Sequence, residues 1–162
     1  MADKGTRRRP ILGLICCFSF LAAGCSADTS FVDFASLART SAPHDALACP
    51  EGLCAAKADF RTEIVARPAS EMAELAIRTI GAEARTELVA KSDDGLRLVF
   101  VQRSRLFRFP DTVNIAIVPI DDGHSAVAIY SRSNYGYGDL GVNRARVEEW
   151  AAKLGVSLKV AA

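Results

Sequence analysis

The chain is poor in the residues that usually announce a reaction. His44 and His124 are its only two histidines. Neither has a nucleophile or a base beside it, which argues against a Ser-His-Asp or Cys-His system. No Gly-rich phosphate loop of the Walker type is present. Asp93-Asp94 and Asp121-Asp122 offer too few oxygens for a calcium loop, and turns favour aspartate for backbone reasons. Net charge is also small, with 20 Lys+Arg against 19 Asp+Glu. That balance gives no reason to expect a nucleic-acid partner. There is no internal repeat, and only one long apolar run.

That run opens the chain, in MADKGTRRRPILGLICCFSFLAAGC. Lys4, Arg7, Arg8 and Arg9 form a basic start, and Ile11 to Ala23 adds thirteen uncharged residues. Basic, apolar and small-residue segments in that order make a secretory signal. Thirteen residues fall short of the roughly 20 that span a bilayer. Leu21-Ala22-Ala23-Gly24 followed by Cys25 resembles the lipobox of bacterial lipoproteins. The resemblance implies cleavage before Cys25, diacylation of Cys25 and a membrane anchor there. An uncleaved anchor is the alternative. Ser26 follows the cysteine. By resemblance to Gram-negative sorting, where aspartate at that position retains proteins at the inner membrane, the outer membrane is favoured over the inner.

Residues 1–24 hold four of the basic and one of the acidic residues, leaving 16 against 18, about −2. The remaining length suits one ordinary domain. Residues 25–48 are rich in Ser, Ala, Thr and Asp and read as a lipidated tether, with Phe31, Val32 and Phe34 able to dock. The folded domain is expected over 49–162. Cys16 and Cys17 leave with the signal, so only Cys49 and Cys54 remain as thiols. An even pair in an exported chain reads as a disulfide. A redox pair would favour two intervening residues, not four. A zinc site would lack ligands. No metal or cofactor is expected.

Within the domain, Arg67 to Gly81 reads as a helix, with Met72, Leu75, Ala76 and Ile80 on one face. Strands are expected at Glu87 to Lys91, Leu96 to Arg105, Val113 to Ile120 and Ala126 to Ser131. Asp93-Asp94-Gly95 and Asp121 to His124 provide tight turns between them. Asp59 to Ala66 is an additional candidate strand. A last helix runs from Val142 to Leu154 with Val147, Trp150, Ala151 and Leu154 inward. The order argues for an α+β fold, an antiparallel sheet with helices packed on one face in two layers.

The stretch YSRSNYGYGDLGVNRARVEEW, residues 130 to 150, resembles the signature of the DUF1499 family, bacterial and plastid proteins of undefined function. Ser131, Arg132, Ser133, Gly136, Asp139, Leu140, Gly141, Val142, Asn143, Arg144 and Arg146 carry the match. Phe107 to Asp111 and the Cys49-Pro50…Cys54 element add to it, so the resemblance covers about residues 49 to 155. Three positions depart from the pattern. Asn134 stands where arginine is usual, and Thr112 and Asn114 where acidic residues are. The resemblance implies a fold and an envelope setting, and no reaction.

Two readings of the turn stand side by side. Asp139 is placed to cap N–H groups at the start of the last helix, and Asn143 would do so one turn later. Arg132, Arg144 and Arg146 lie near that helix start, where an anionic ligand can bind. In the structural reading, Arg132 or Arg144 pairs with Asp139 or Asp111 and locks the helix to the sheet. Arg103, Arg105 and Arg108 form a basic cluster that is either a solvated strand face or a docking face for acidic headgroups or an acidic partner. Tyr130, Tyr135 and Tyr137 would add contact area there. The resulting expectation is a non-catalytic accessory or binding lipoprotein of the cell envelope, with an anionic ligand or an envelope protein as partner. The alternatives are an enzyme acting on an anionic envelope substrate, with Asp139 or Asp111 as base and Arg132 or Arg144 as clamp, and a structural assembly factor for a membrane complex.

Overall fold

A computed structural model describes residues 26–161. The proposed signal segment and the lipidation candidate Cys25 lie outside the described residues. The elements in chain order are β1 (Asp45–Cys49), β2 (Phe60–Thr62), α1 (Ala69–Gly81), β3 (Thr86–Lys91), β4 (Arg97–Arg103), β5 (Pro110–Pro119), β6 (Ser125–Ser133), α2 (Val142–Lys153) and β7 (Leu158–Val160). They form an α+β fold around one seven-stranded sheet, ordered β3-β4-β5-β6-β1-β2-β7. Among the described residues no helix is long and apolar enough to cross a membrane.

Period-two alternation in β4, β5 and β6 sorts side chains to two faces. Leu98, Phe100, Val113, Ile115, Val127 and Ile129 point toward the helices. There they meet Met72, Ala76 and Ile80 of α1 and Val147, Trp150 and Ala151 of α2. Phe100 and Trp150 pack edge to face, with centroids 5.9 Å apart. Helix α1 starts after Pro68, which sits just outside the first turn, two residues later than its apolar pattern predicts. The Asp93-Asp94-Gly95 turn forms as expected. Asp94 Oδ1 accepts the Leu96 N–H at 3.0 Å, and Gly95 has φ +75°.

Three features go beyond the sequence-based expectation. Short strands β1 and β7 add to the sheet, and β1 runs parallel to β2, so the sheet is mixed. Residues 45–48, read as tether, are strand, and they pair with Arg132, Ser131, Tyr130 and Ile129 of β6. The sheet face away from the helices is also covered. Leu47, Cys49, Ala116, Ala128 and Tyr130 form a second apolar surface, and Phe34 is buried in it. An apolar face of that size needs cover, and the preceding coil provides it.

That coil, residues 26–37, crosses the face as a strap. Asn114 Oδ1 accepts the Val32 N–H at 3.0 Å, and the Thr112 hydroxyl donates to the Asp28 carbonyl at 2.7 Å. Asp28 pairs with Arg132, and the Arg97 guanidinium lies over the Phe31 ring at 5.0 Å. Farther along, Arg39 reaches Asp45 at 2.7 Å and Asp59 at 2.9 Å. Cys49 and Cys54 are joined by a disulfide, which folds the 50–53 turn back beside Phe34.

Two outcomes follow for the strap. Phe34→Ala should lower stability by about 1.5–3 kcal/mol, the transfer cost of a buried aromatic side chain, measured by urea unfolding. Asp28 is held below the ordinary carboxylate range, first by the Ser30 hydroxyl, then by the Ser30 N–H, with Arg132 adding to them. A depressed folded value gives stability that is present above the unfolded value and lost as pH falls through the folded one. The hydrogen-exchange protection factor of the Val32 amide should therefore drop in acid before the core amides lose theirs.

Candidate functional site

The turn between β6 and α2 is built from backbone requirements first. Leu140 and Gly141 take φ +56° and +82°, so two successive left-handed residues reverse the chain into α2. Glycine adopts that conformation freely and leucine does not. Asp139 then serves the helix start with both carboxylate oxygens. Oδ1 accepts the Gly141 N–H at 2.9 Å and Oδ2 the Asn143 N–H at 2.7 Å. Asp139 thus satisfies backbone donors at the start of α2 from two residues ahead of the N-cap, Gly141.

Asn143 is fully buried behind that cap. Its amide donates to the His44 carbonyl at 2.9 Å and to Ser133 Oγ at 3.0 Å. Its Oδ1 accepts from Ser131 Oγ at 2.5 Å and from Arg146 at 2.6 Å. Arg146 is the centre of the network. Its guanidinium also reaches Asp111 at 2.6 Å, Gln102 at 2.7 Å and Ser131 at 2.9 Å. Both charges of the Arg146–Asp111 pair are almost fully withdrawn from water. Such a pair is stable only when the remaining donors are satisfied, as the contacts of Arg146 are here.

The other two arginines go elsewhere, which corrects their expected pairing. Arg144 does not meet Asp139. It lies over the Phe60 ring at 4.3 Å, with Glu148 at 3.5 Å and Asp59 at 4.0 Å. Arg132 lies against Asp28 of the strap. The three arginines therefore face three different surroundings and do not converge on a cleft. Two open concavities lie apart from the turn. One of about 480 Å³ is bounded by Leu37–Thr40 and Ala55–Lys57, and one of about 320 Å³ by Phe60, Glu148, Ala152 and Val156. Among the described residues, no group of three or more His, Cys, Asp or Glu is arranged to hold a metal ion.

The two halves of one departure from the family pattern touch each other. Asn134 donates its amide to Thr112 Oγ1 at 2.8 Å and to the Pro110 carbonyl at 3.2 Å. Thr112 and Asn134 thus form a neutral hydroxyl–amide pair. Asn114, the other departure, binds the strap at Val32. Tyr130 is buried, not surface-displayed. Burial and then the hydrogen bond to Asp45 at 2.8 Å push its phenol well above the ordinary value, so it stays protonated.

Sequence reasoning placed Arg144 beside Arg146 without separating them. The signal that separates them is helical spacing. Asn143 and Arg146 precede Val147 and Trp150 by four, on the buried face, while Arg144 precedes the exposed Glu148 by four. Gln102, the fourth partner of Arg146, carried no local signal.

A mixed sheet with two helices on one face, closed by a capped turn over a buried arginine, defines an α+β domain whose most polar centre is internal. The chain belongs to the DUF1499 family of proteins of unknown function, whose pattern it matches over residues 30–154. No curated protein matches it. Among solved structures it is similar to a START superfamily protein from Mycobacterium smegmatis, at 11% identity and a TM-score of 0.34, over 59% of this chain and 91% of that one.

Arg146→Ala should cost about 3–5 kcal/mol, because it leaves Asp111 buried without its partner. Arg146 and Asp111 should couple strongly in a double-mutant cycle, while Arg144 and Asp139 should be additive. Asp139→Ala alone should cost about 0.5–2 kcal/mol, as for other lost caps. Equal losses for Arg144→Ala and Arg146→Ala in urea unfolding would contradict this division of roles.

Proposed function

We propose that the protein is a non-catalytic accessory lipoprotein of the bacterial cell envelope, held at the membrane by acyl chains on Cys25. The observation that carries the non-catalytic part is the state of the carboxylates and arginines at the turn. Asp139 is occupied by two backbone N–H groups, and Asp111 is paired with Arg146. Each carboxylate is already engaged by these partners, and Arg132, Arg144 and Arg146 are not brought together on one cleft. An enzyme at this turn would need at least one such group facing a substrate. The turn supports a scaffold that presents surfaces, and the working surface then lies outside the network.

The anchor reading draws on the basic, apolar and small-residue order of residues 1–24 and on Cys25 after Leu-Ala-Ala-Gly. Two acyl chains suffice for stable membrane attachment at about 0.8 kcal/mol per buried CH₂. Oxidising conditions outside the cytoplasm suit the Cys49–Cys54 disulfide. Ser26 after the acylated cysteine favours delivery to the outer membrane, and the domain then faces the periplasm.

Metabolic labelling with a radioactive fatty acid should mark the wild-type protein. Cys25→Ser should remain as unlabelled precursor of higher mass. A wild-type protein without acyl chains would overturn the anchor, and a mature, unlabelled product from Cys25→Ser would point to ordinary secretion.

A further inference from the structure

One end of the sheet carries Leu140, Leu106 and Tyr137, the three most exposed large apolar side chains of the described residues. Arg103 of β4 pairs with Pro110 of β5, and Asp111 pairs with Ser133 of β6, so the β4–β5 turn and the β6–α2 turn leave the sheet side by side. Leu106 is 78% exposed and Phe107 69% on the first turn, and Tyr137 is 78% exposed on the second. Leu140 is completely exposed. Phe107 stacks on Phe109 with centroids 5.7 Å apart, and Phe109 meets Tyr135 at 6.1 Å. The rings thus form one surface and not scattered side chains.

Charge and backbone at this end point the same way. Arg105 and Arg108 are exposed among the aromatic rings, and neither makes an ion pair among the described residues. Arg108 and Leu140 hold φ +59° and +56°, a left-handed backbone disfavoured for residues with a side chain. Folding stability gives no reason to put leucine there with its side chain entirely in water. Asparagine or glycine would fit that backbone better.

The strap links this end to the anchor position. The Tyr135 hydroxyl donates to the Ser26 carbonyl at 3.0 Å. Ser26 is covalently next to Cys25, so acyl chains on that cysteine would begin at the edge of the aromatic surface. Aromatic rings with polar tips favour the membrane interface, and arginine binds phosphate headgroups. We infer that this end of the domain seats in the headgroup layer of an anionic phospholipid bilayer, with Leu106, Phe107, Tyr137 and Leu140 turned toward the acyl region and Arg105 and Arg108 on the phosphates. The inference rests on the lipid-anchor reading for the domain's orientation, and its test separates the two.

The far end of the sheet supplies the control. Ile120, in the β5–β6 turn, is also exposed, but ten residues of strand separate it from the Pro110 end. At about 3.4 Å per residue that is roughly 30 Å. The full chain, isolated from membranes and reconstituted in vesicles of phosphatidylethanolamine and phosphatidylglycerol with brominated acyl chains, is read by tryptophan fluorescence. Trp150 is buried and common to every variant. Phe107→Trp should add a blue-shifted signal that loses most of its intensity to the bromines, and Ile120→Trp one that is unshifted and unquenched. Equal quenching at the two ends, or none at Phe107→Trp, overturns the seating and leaves a protein as the cover for this surface. Leu140→Asn in the Phe107→Trp chain should keep or raise the melting temperature while weakening the quenching, and unchanged quenching would remove Leu140 from the contact. Acyl chains found on Cys25 without quenching leave the anchor standing and the seating wrong. Quenching without acyl chains leaves the seating standing and the anchor wrong.

Discussion

The guanidinium of Arg146 is the point through which the domain is held in register. One side chain on α2 reaches Gln102 on β4, Asp111 on β5 and Ser131 on β6, and Asn143 one turn back on its own helix. Arginine offers five donors in a planar fork, so it can serve four partners at once where lysine would serve fewer in less defined directions. An ion pair this deep adds little to net stability compared with an apolar cluster of the same size. What it adds is direction. A helix with only Val147, Trp150, Ala151 and Leu154 inward could slide along the sheet at modest cost. With Arg146 in place, a slide would strand Asp111 without its charge partner.

Asn143 extends the same constraint to the start of the domain. Its amide binds the His44 carbonyl, just ahead of β1, while Ser133 binds that carbonyl through its backbone N–H at 2.9 Å. The cap at Asp139 holds the Asn143 N–H, so the geometry of the turn sets where the Asn143 side chain lies. The long polar motif of the sequence thus has a joint purpose. Its glycines and Asp139 shape the turn, and Asn143 and Arg146 spend that shape on locking β1, β5, β6 and α2 together. A motif of this density can arise from folding requirements alone, which is why its presence does not by itself indicate a ligand.

Much of this was legible in the sequence, and the reasons for the rest are specific. The hairpin strands β3 to β6 and both helices show clear periodicity with turn residues between them, so pattern alone locates them within a few residues. Strands β1 and β7 are five and three residues long and pair only with distant partners, so nothing local marks them. The parallel β1–β2 pairing has no turn signature at all. Asp45 to Ala48 read as tether because a run of small residues next to Ser and Thr looks unstructured until β6 is placed beside it. At the turn, Asp139 was identifiable because capping is a local property. The choice of Arg146 over Arg144 needed the buried face of α2, and the choice of Asp111 over Asp139 as its partner needed the sheet.

The strap changes what a lipid anchor would mean for this protein. Nineteen residues of free chain from Ser26 to His44 could extend to about 65 Å, enough to hold a domain far from its membrane. Folded onto the sheet, the same residues give almost none of that reach. Asp28 is fixed by Arg132 and Thr112, Val32 by Asn114, and Phe34 by the apolar face beneath it. Thr112 donates its hydroxyl to the Asp28 carbonyl, a contact an ionised carboxylate could not make, and Asn114 accepts the Val32 N–H. On the lipid-anchor reading, the docking of the strap has a mechanical consequence: acyl chains attached one residue before Ser26 would pull on a fixed point of the domain, at the end where the exposed rings, Arg105 and Arg108 lie.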